Sequence, residues 1–82
     1  MLTPSSNFTA DELRFIQKEG EEYIKYVNEK ILDAAQRGES QALFDIIKDQ
    51  RYWRAPDALR SYFESRGFKT LWGGQSYWGL QW

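Results

Sequence analysis

The chain contains no cysteine and no histidine. Without a thiol or an imidazole, a nucleophile–base triad, thiol catalysis and nearly every zinc site are excluded. No disulfide can staple the fold, which fits a reducing interior. No apolar run approaches the roughly 20 residues of a membrane span. The opening MLTPSSNF lacks a basic region followed by an apolar stretch, so no signal peptide is expected. In that setting the glycosylation sequon Asn7-Phe8-Thr9 carries little weight. Neither GxxxxGK[ST] nor GxGxxG occurs, so no phosphate-cradling loop is expected.

What the chain has is aromatic bulk. Eighty-two residues predict one domain. A domain of this size buries only about 60–65% of its unfolded surface, so its core is thin. An aromatic content of 17% offsets that, because each such ring buries roughly 150–250 Å². The net charge of −1 hides an asymmetry. Residues 1–50 carry 6 basic and 10 acidic side chains, whereas residues 51–82 carry 5 basic and 2 acidic ones together with 9 of the 14 aromatics. A basic, aromatic C-terminal part is a mild hint of anionic partners.

Periodicity divides the chain. After an arm over 1–8, Thr9 and Glu12 have capping-box spacing, and Phe8 and Leu13 stand as a hydrophobic staple. Leu13, Ile16, Gly20, Tyr23, Val27, Ile31 and Ala34 then recur every three or four residues, predicting one long helix over 9–37 that Gly38 stops. Unbroken, residues 10–37 span about 42 Å, more than the roughly 30 Å of a compact domain. The overhang predicts a homodimer with Ile16, Tyr23, Val27 and Ile31 in its contact, unless the helix breaks at Gly20. Two short helices are expected within 40–66, one after Ser40 with Leu43, Phe44, Ile46 and Ile47 facing inward. The other opens at Ala55-Pro56-Asp57 and closes at Gly67. From Phe68 the period becomes 2. Pairing Phe68 with Trp82, Thr70 with Leu80 and Trp72 with Trp78 leaves Gly74-Gln75-Ser76 as the turn of a hairpin over 68–82. The expected fold is α+β, with three helices packed on one face of a two-stranded antiparallel β-hairpin. Trp78 and Trp82 are expected in the core, and Leu71, Trp72 and Tyr77 on the surface.

Few residues are left for function. Glu21-Glu22 and the pair Asp45 and Asp49, which would share a helix face, are the carboxylates available for catalysis or a metal. Charge on a helix is more often a solvated face, so no catalytic, metal or cofactor site is assigned. The stretch Gln50-Arg51-Tyr52-Trp53-Arg54 interleaves arginine with aromatics, as anchors of interfaces do. Arg51, Trp53, Arg54, Trp72 and Tyr77 are therefore the expected recognition surface.

Two resemblances bear on this reading. The order helix, helix, turn, helix, hairpin resembles a winged helix-turn-helix domain, with 41–50 and 56–66 as the helix-turn-helix and 68–82 as the wing. That resemblance implies DNA contacts by Arg60 and by Asp57, Ser61 and Glu64, with Arg51, Arg54, Arg66 and Lys69 on phosphates. The chain departs from the pattern in its acidic first helix, in the low positive charge of the third, and in showing no strand between the first two helices. The ending ESRGFKTLWGGQSYWGLQW is similar to the tails of small tailed-phage proteins. This implies a phage source and a bacterial or infected-host cytoplasm. The expected function is a non-enzymatic, intracellular module that binds an unknown protein, away from membranes; the alternative is a winged-helix-like nucleic-acid binder.

Overall fold

The computed structural model describes residues 2–82. Thr9 caps α1 (Ala10–Lys18), its hydroxyl accepting the Glu12 amide at 3.2 Å. Glu12 does not reach back to Thr9. Its buried carboxylate instead accepts from the amide of Ser5 at 3.1 Å and from the Ser5 hydroxyl. That contact pins the N-terminal arm, whose Leu2 is buried over Gly20. Phe8, expected as a staple on Leu13, is left exposed.

The long helix over 9–37 is not continuous. Helix α1 ends at Lys18, and α2 (Gly20–Gln36) starts after the single residue Glu19, which caps both helices. A Cβ at Gly20 would lie 3.2 Å from Leu2 Cδ1, so the glycine makes the seat on which the arm packs. The molecule is 39 Å along its longest axis, shorter than the roughly 42 Å an unbroken helix needs. The break lets both halves bury their stripes in one core. Ile16, Tyr23 and Val27 lie inside it and Ile31 packs against it, so the stripe assigned to self-association is covered within the chain.

The segment after Ser40 is a strand, β1 (Gln41–Asp45), and not the expected helix. Ala42, Phe44 and Ile46 are buried while Leu43 and Ile47 are exposed, a period of 2. A short 3-10 helix follows at Gln50–Arg54, capped by Asp49. Helix α3 (Pro56–Glu64) has proline at its first turn, as expected. It ends in a Schellman motif. The Phe68 amide donates to the Phe63 carbonyl at 3.1 Å and the Gly67 amide to Glu64 at 3.1 Å, with Gly67 at φ +94°.

Strands β2 (Lys69–Gly73) and β3 (Tyr77–Gln81) form the hairpin in the expected register, Thr70 opposite Leu80 and Trp72 opposite Trp78. The sheet has three strands in the order β1-β3-β2, all antiparallel, so the fold is α+β with β3 at its centre. A two-stranded ribbon is barely stable alone, and β1 supplies the second partner for β3. Gly79 permits this close pairing, since a Cβ there would meet Leu43 Cδ2 at 2.6 Å and the Ala42 carbonyl at 2.8 Å. One sheet face, with Ala42, Phe44, Trp78 and Leu80, is buried under the helices. Trp82 is not in the core. It is 40% exposed and rests edge-on against Phe68.

Trp78 is the centre of the core. It stacks on Tyr52 at 4.6 Å, lies 5.1 Å from Phe44, and donates its indole N–H to the Tyr23 hydroxyl at 3.0 Å. Burial pushes the Tyr23 phenol far above its ordinary pKa, so it stays neutral as acceptor. The Tyr52 hydroxyl is buried without a hydrogen-bond partner among the described residues. The two tyrosines should therefore respond oppositely to loss of the hydroxyl. Tyr23→Phe orphans the Trp78 N–H and should cost about 1–3 kcal/mol, whereas Tyr52→Phe should be neutral or stabilise by up to about 1 kcal/mol. Urea unfolding of both variants checks the contrast.

Candidate functional site

The five residues of the expected recognition surface separate into two groups and one outlier. Trp53, on the 3-10 helix, and Trp72, on β2, come together at the surface. Their ring centres are 5.4 Å apart and perpendicular, and they remain 43% and 52% exposed. Beneath them lies buried Tyr52, edge-on to Trp53 at 5.5 Å and 6.1 Å from Trp72. Tyr52 in turn stacks on Trp78. The exposed indole pair thus stands on an aromatic column rooted in the core. The T-shaped contacts fix the rings at favourable geometry.

Arg51 and Arg54 are engaged by partners within the chain. Arg51 pairs with Asp49 at 2.6 Å, and its guanidinium lies over the rings of Tyr23 and Tyr26 at 4.8 and 5.4 Å. Arg54 joins Asp11 at 2.8 Å and Glu19 at 3.1 Å, linking the 3-10 helix to both ends of α1. Tyr77 is exposed but leaves the patch. It stands opposite Gly73 and next to Trp78 in sequence, so its side chain takes the outer face of the sheet while Trp78 takes the core face. There it covers Gly73, where a Cβ would strike its ring.

The carboxylates have structural duties. Asp45 and Asp49 do not share a helix face, because their segment is a strand end and a turn. Asp45 accepts the amides of Ile47 at 2.9 Å and Lys48 at 3.1 Å, and these bonds hold its carboxyl below the usual range. Asp49 accepts the Arg51 amide and guanidinium, and the Arg51 side chain chiefly lowers its pKa. Glu21 and Glu22 are exposed in the first turn of α2. No group of three or more acidic side chains suited to a metal occurs among the described residues.

The basic residues do not assemble into a nucleic-acid face. Arg60 pairs with Asp57 within α3, the Arg66 guanidinium lies 4.5 Å over the Tyr62 ring, and Lys69 is exposed at the start of β2. The exposed side of α3 opens on a polar cleft of about 440 Å³ lined by Ser5, Ser6, Asp57, Arg60, Ser61, Glu64 and Thr70. Its two carboxylates outnumber its one arginine. The helix-turn-helix expected over 41–66 is not formed, because β1 and the 3-10 helix replace its first helix. A strand, β1, stands where the second helix was expected, and the expected hairpin is formed by β2 and β3.

A scan against models of known protein families matches none, and searches of curated proteins and of solved structures return no match.

The geometry around Arg51 carries a pH dependence. A carboxyl whose folded pKa is depressed stabilises fully above its unfolded value, about 3.9 for aspartate, and loses that contribution as pH falls through the folded value. Asp45 and Asp49 both belong to this class. Thermal stability should decline as pH drops below about 4. Asp49→Asn should lower the neutral-pH melting temperature and make the acid decline shallower. Melting curves across the acid range measure both.

Proposed function

We propose that this is a small non-enzymatic module that binds another protein through the Trp53–Trp72 pair. The carrying observation is the pair itself, two indoles about half exposed yet held edge-on at 5.4 Å over a buried tyrosine. Large apolar side chains left in water on a rigid support lose little conformational freedom on binding. Tryptophan is also among the residues that dominate interface hot spots. The absence of histidine and cysteine from the sequence supports the non-enzymatic reading. The tail similar to those of phage proteins supports a phage-encoded, intracellular origin.

The order of elements with a strand before α3 and a hairpin after it favours the winged-helix alternative. The chemistry opposes it. Duplex binding is driven by cations on phosphates, and Arg51, Arg54 and Arg60 are engaged by carboxylates of the same chain. Glu64 and Asp57 lie on the face that would read bases, and carboxylates find few favourable contacts there.

Fluorescence anisotropy with mixed-sequence duplex DNA should show no binding tighter than about 10 micromolar at physiological salt, weaker than specific binders by orders of magnitude. A pull-down from the native host should capture a protein that nuclease treatment does not release. The Trp53→Ala/Trp72→Ala variant should lose that protein while keeping a cooperative melt. Tight, salt-sensitive DNA binding abolished by Arg60→Ala would put the nucleic-acid reading first.

A further inference from the structure

We propose that the open edge of β1 pairs with the same edge of a second copy, centred on Leu43, joining two three-stranded sheets into one of six strands. This surface is separate from the tryptophan pair, and the inference does not depend on it.

The edge is open by construction. β1 has β3 on one side and, among the described residues, no strand on the other. The ladder bonds fix which groups are free. The Ile46 amide donates to Ser76 at 3.2 Å and the Trp82 amide to Ser40 at 2.9 Å, so even-numbered residues of this segment bond to β3. In an antiparallel ladder the alternate residues then aim their amides and carbonyls away. Gln41, Leu43 and Asp45 are those residues, and all three are exposed; the Asp45 carbonyl accepts the Asp49 amide at 3.3 Å, so of Asp45 the amide is the group left for a ladder. The usual protections of an edge, lysine, proline or a bulge, are missing from the strand QALFD.

The edge is also self-complementary. With Leu43 on a two-fold axis, each Leu43 amide donates to the Leu43 carbonyl of the second copy. Each Gln41 carbonyl accepts from the Asp45 amide across the axis. Gln41 thereby faces Asp45, an amide donor opposite a carboxylate, and Ala42 faces Phe44, small opposite large. Like charges meet nowhere within the strand. On the outer face, Leu43, Gly79 and Leu71 form a row across one sheet, since Gly79 is the partner of both leucines. The axis continues that row through the 51% exposed Leu43 into its copy. A two-fold axis normal to the sheet keeps both helical layers on the same side. There the groove of about 260 Å³ between α2 and β1, with Lys30, Arg37 and Glu39 on its rim, meets its own image. The rim carries both signs of charge, so no single-sign repulsion opposes closure. A contact of about a tenth of the 5390 Å² surface is at the small end for stable interfaces, which predicts a dimer in the micromolar range.

The register makes the test specific. Leu43→Lys and Leu43→Glu each place like charges on the axis, and because Leu43 is exposed both variants should keep the wild-type circular dichroism spectrum and a cooperative melt. Sedimentation velocity at about 100 micromolar, well above a micromolar dissociation constant, should show a wild-type dimer and a monomer for each variant alone. An equimolar mixture of the two variants should restore the dimer, because opposite charges then meet on the axis. A monomeric wild type, a variant that still dimerises alone, or a mixture that stays monomeric would overturn the proposal.

Discussion

Burying an indole obliges a protein to find an acceptor for its N–H, and the answer this chain gives for Trp78 organises the rest. The acceptor is the Tyr23 hydroxyl, carried by α2. The ring faces are met by Tyr52 from the 3-10 helix and by Phe44 from β1, with Phe63 of α3 at 6.3 Å. One side chain of the central strand therefore meets α2, the 3-10 helix, β1 and α3. An unpaired buried donor costs enough to remove a sizeable share of a small domain's stability, so these elements hold together or separate together.

Charge has a related role. The interleaved arginines of Gln50-Arg51-Tyr52-Trp53-Arg54 have the composition of a binding motif, yet both guanidinium groups turn back into the molecule. Arg51 clamps the segment to α2 through two aromatic faces, and Arg54 spans Asp11 and Glu19 on α1. Partly exposed ion pairs of this kind add modestly to stability. Their larger effect is positional: a 3-10 helix held at both ends sets Trp53 against Trp72.

The hairpin, its register, the α3 caps and the Thr9 cap were legible because each rests on local chemistry: alternation, a glycine at positive φ, a proline at a first turn, a hydroxyl at a cap. The segment 41–50 was not. Leu43, Phe44, Ile46 and Ile47 fit a helical face as well as a strand, and a run this short does not decide between periods of 3.6 and 2. What decides it is distant, namely that β3 needs partners on both sides and that Gly79 leaves room beside Leu43. The site was half legible for the same reason. Composition pointed to Trp53 and Trp72, but only tertiary contacts show that they touch, that the arginines are engaged, and that Tyr77 faces the other side. The break between α1 and α2 was announced by Gly20, whereas the residue that packs on that glycine, Leu2 of the arm, lies 18 positions upstream of it.

The strand order has a consequence for how the molecule comes into being. β3, the middle strand, is the last of the three to leave the ribosome, and β1 and β2 have no ladder without it. Until β3 has emerged the helices can form but the sheet cannot, and the apolar faces of Phe44, Tyr52 and Phe63 wait for Trp78. Closure then links residues far apart along the chain, such as Tyr23 and Trp78. Non-local closure of this kind slows folding relative to a helical bundle of equal length. The nascent chain thus passes through a window in which an unpaired β1 is exposed before its own central strand has been made.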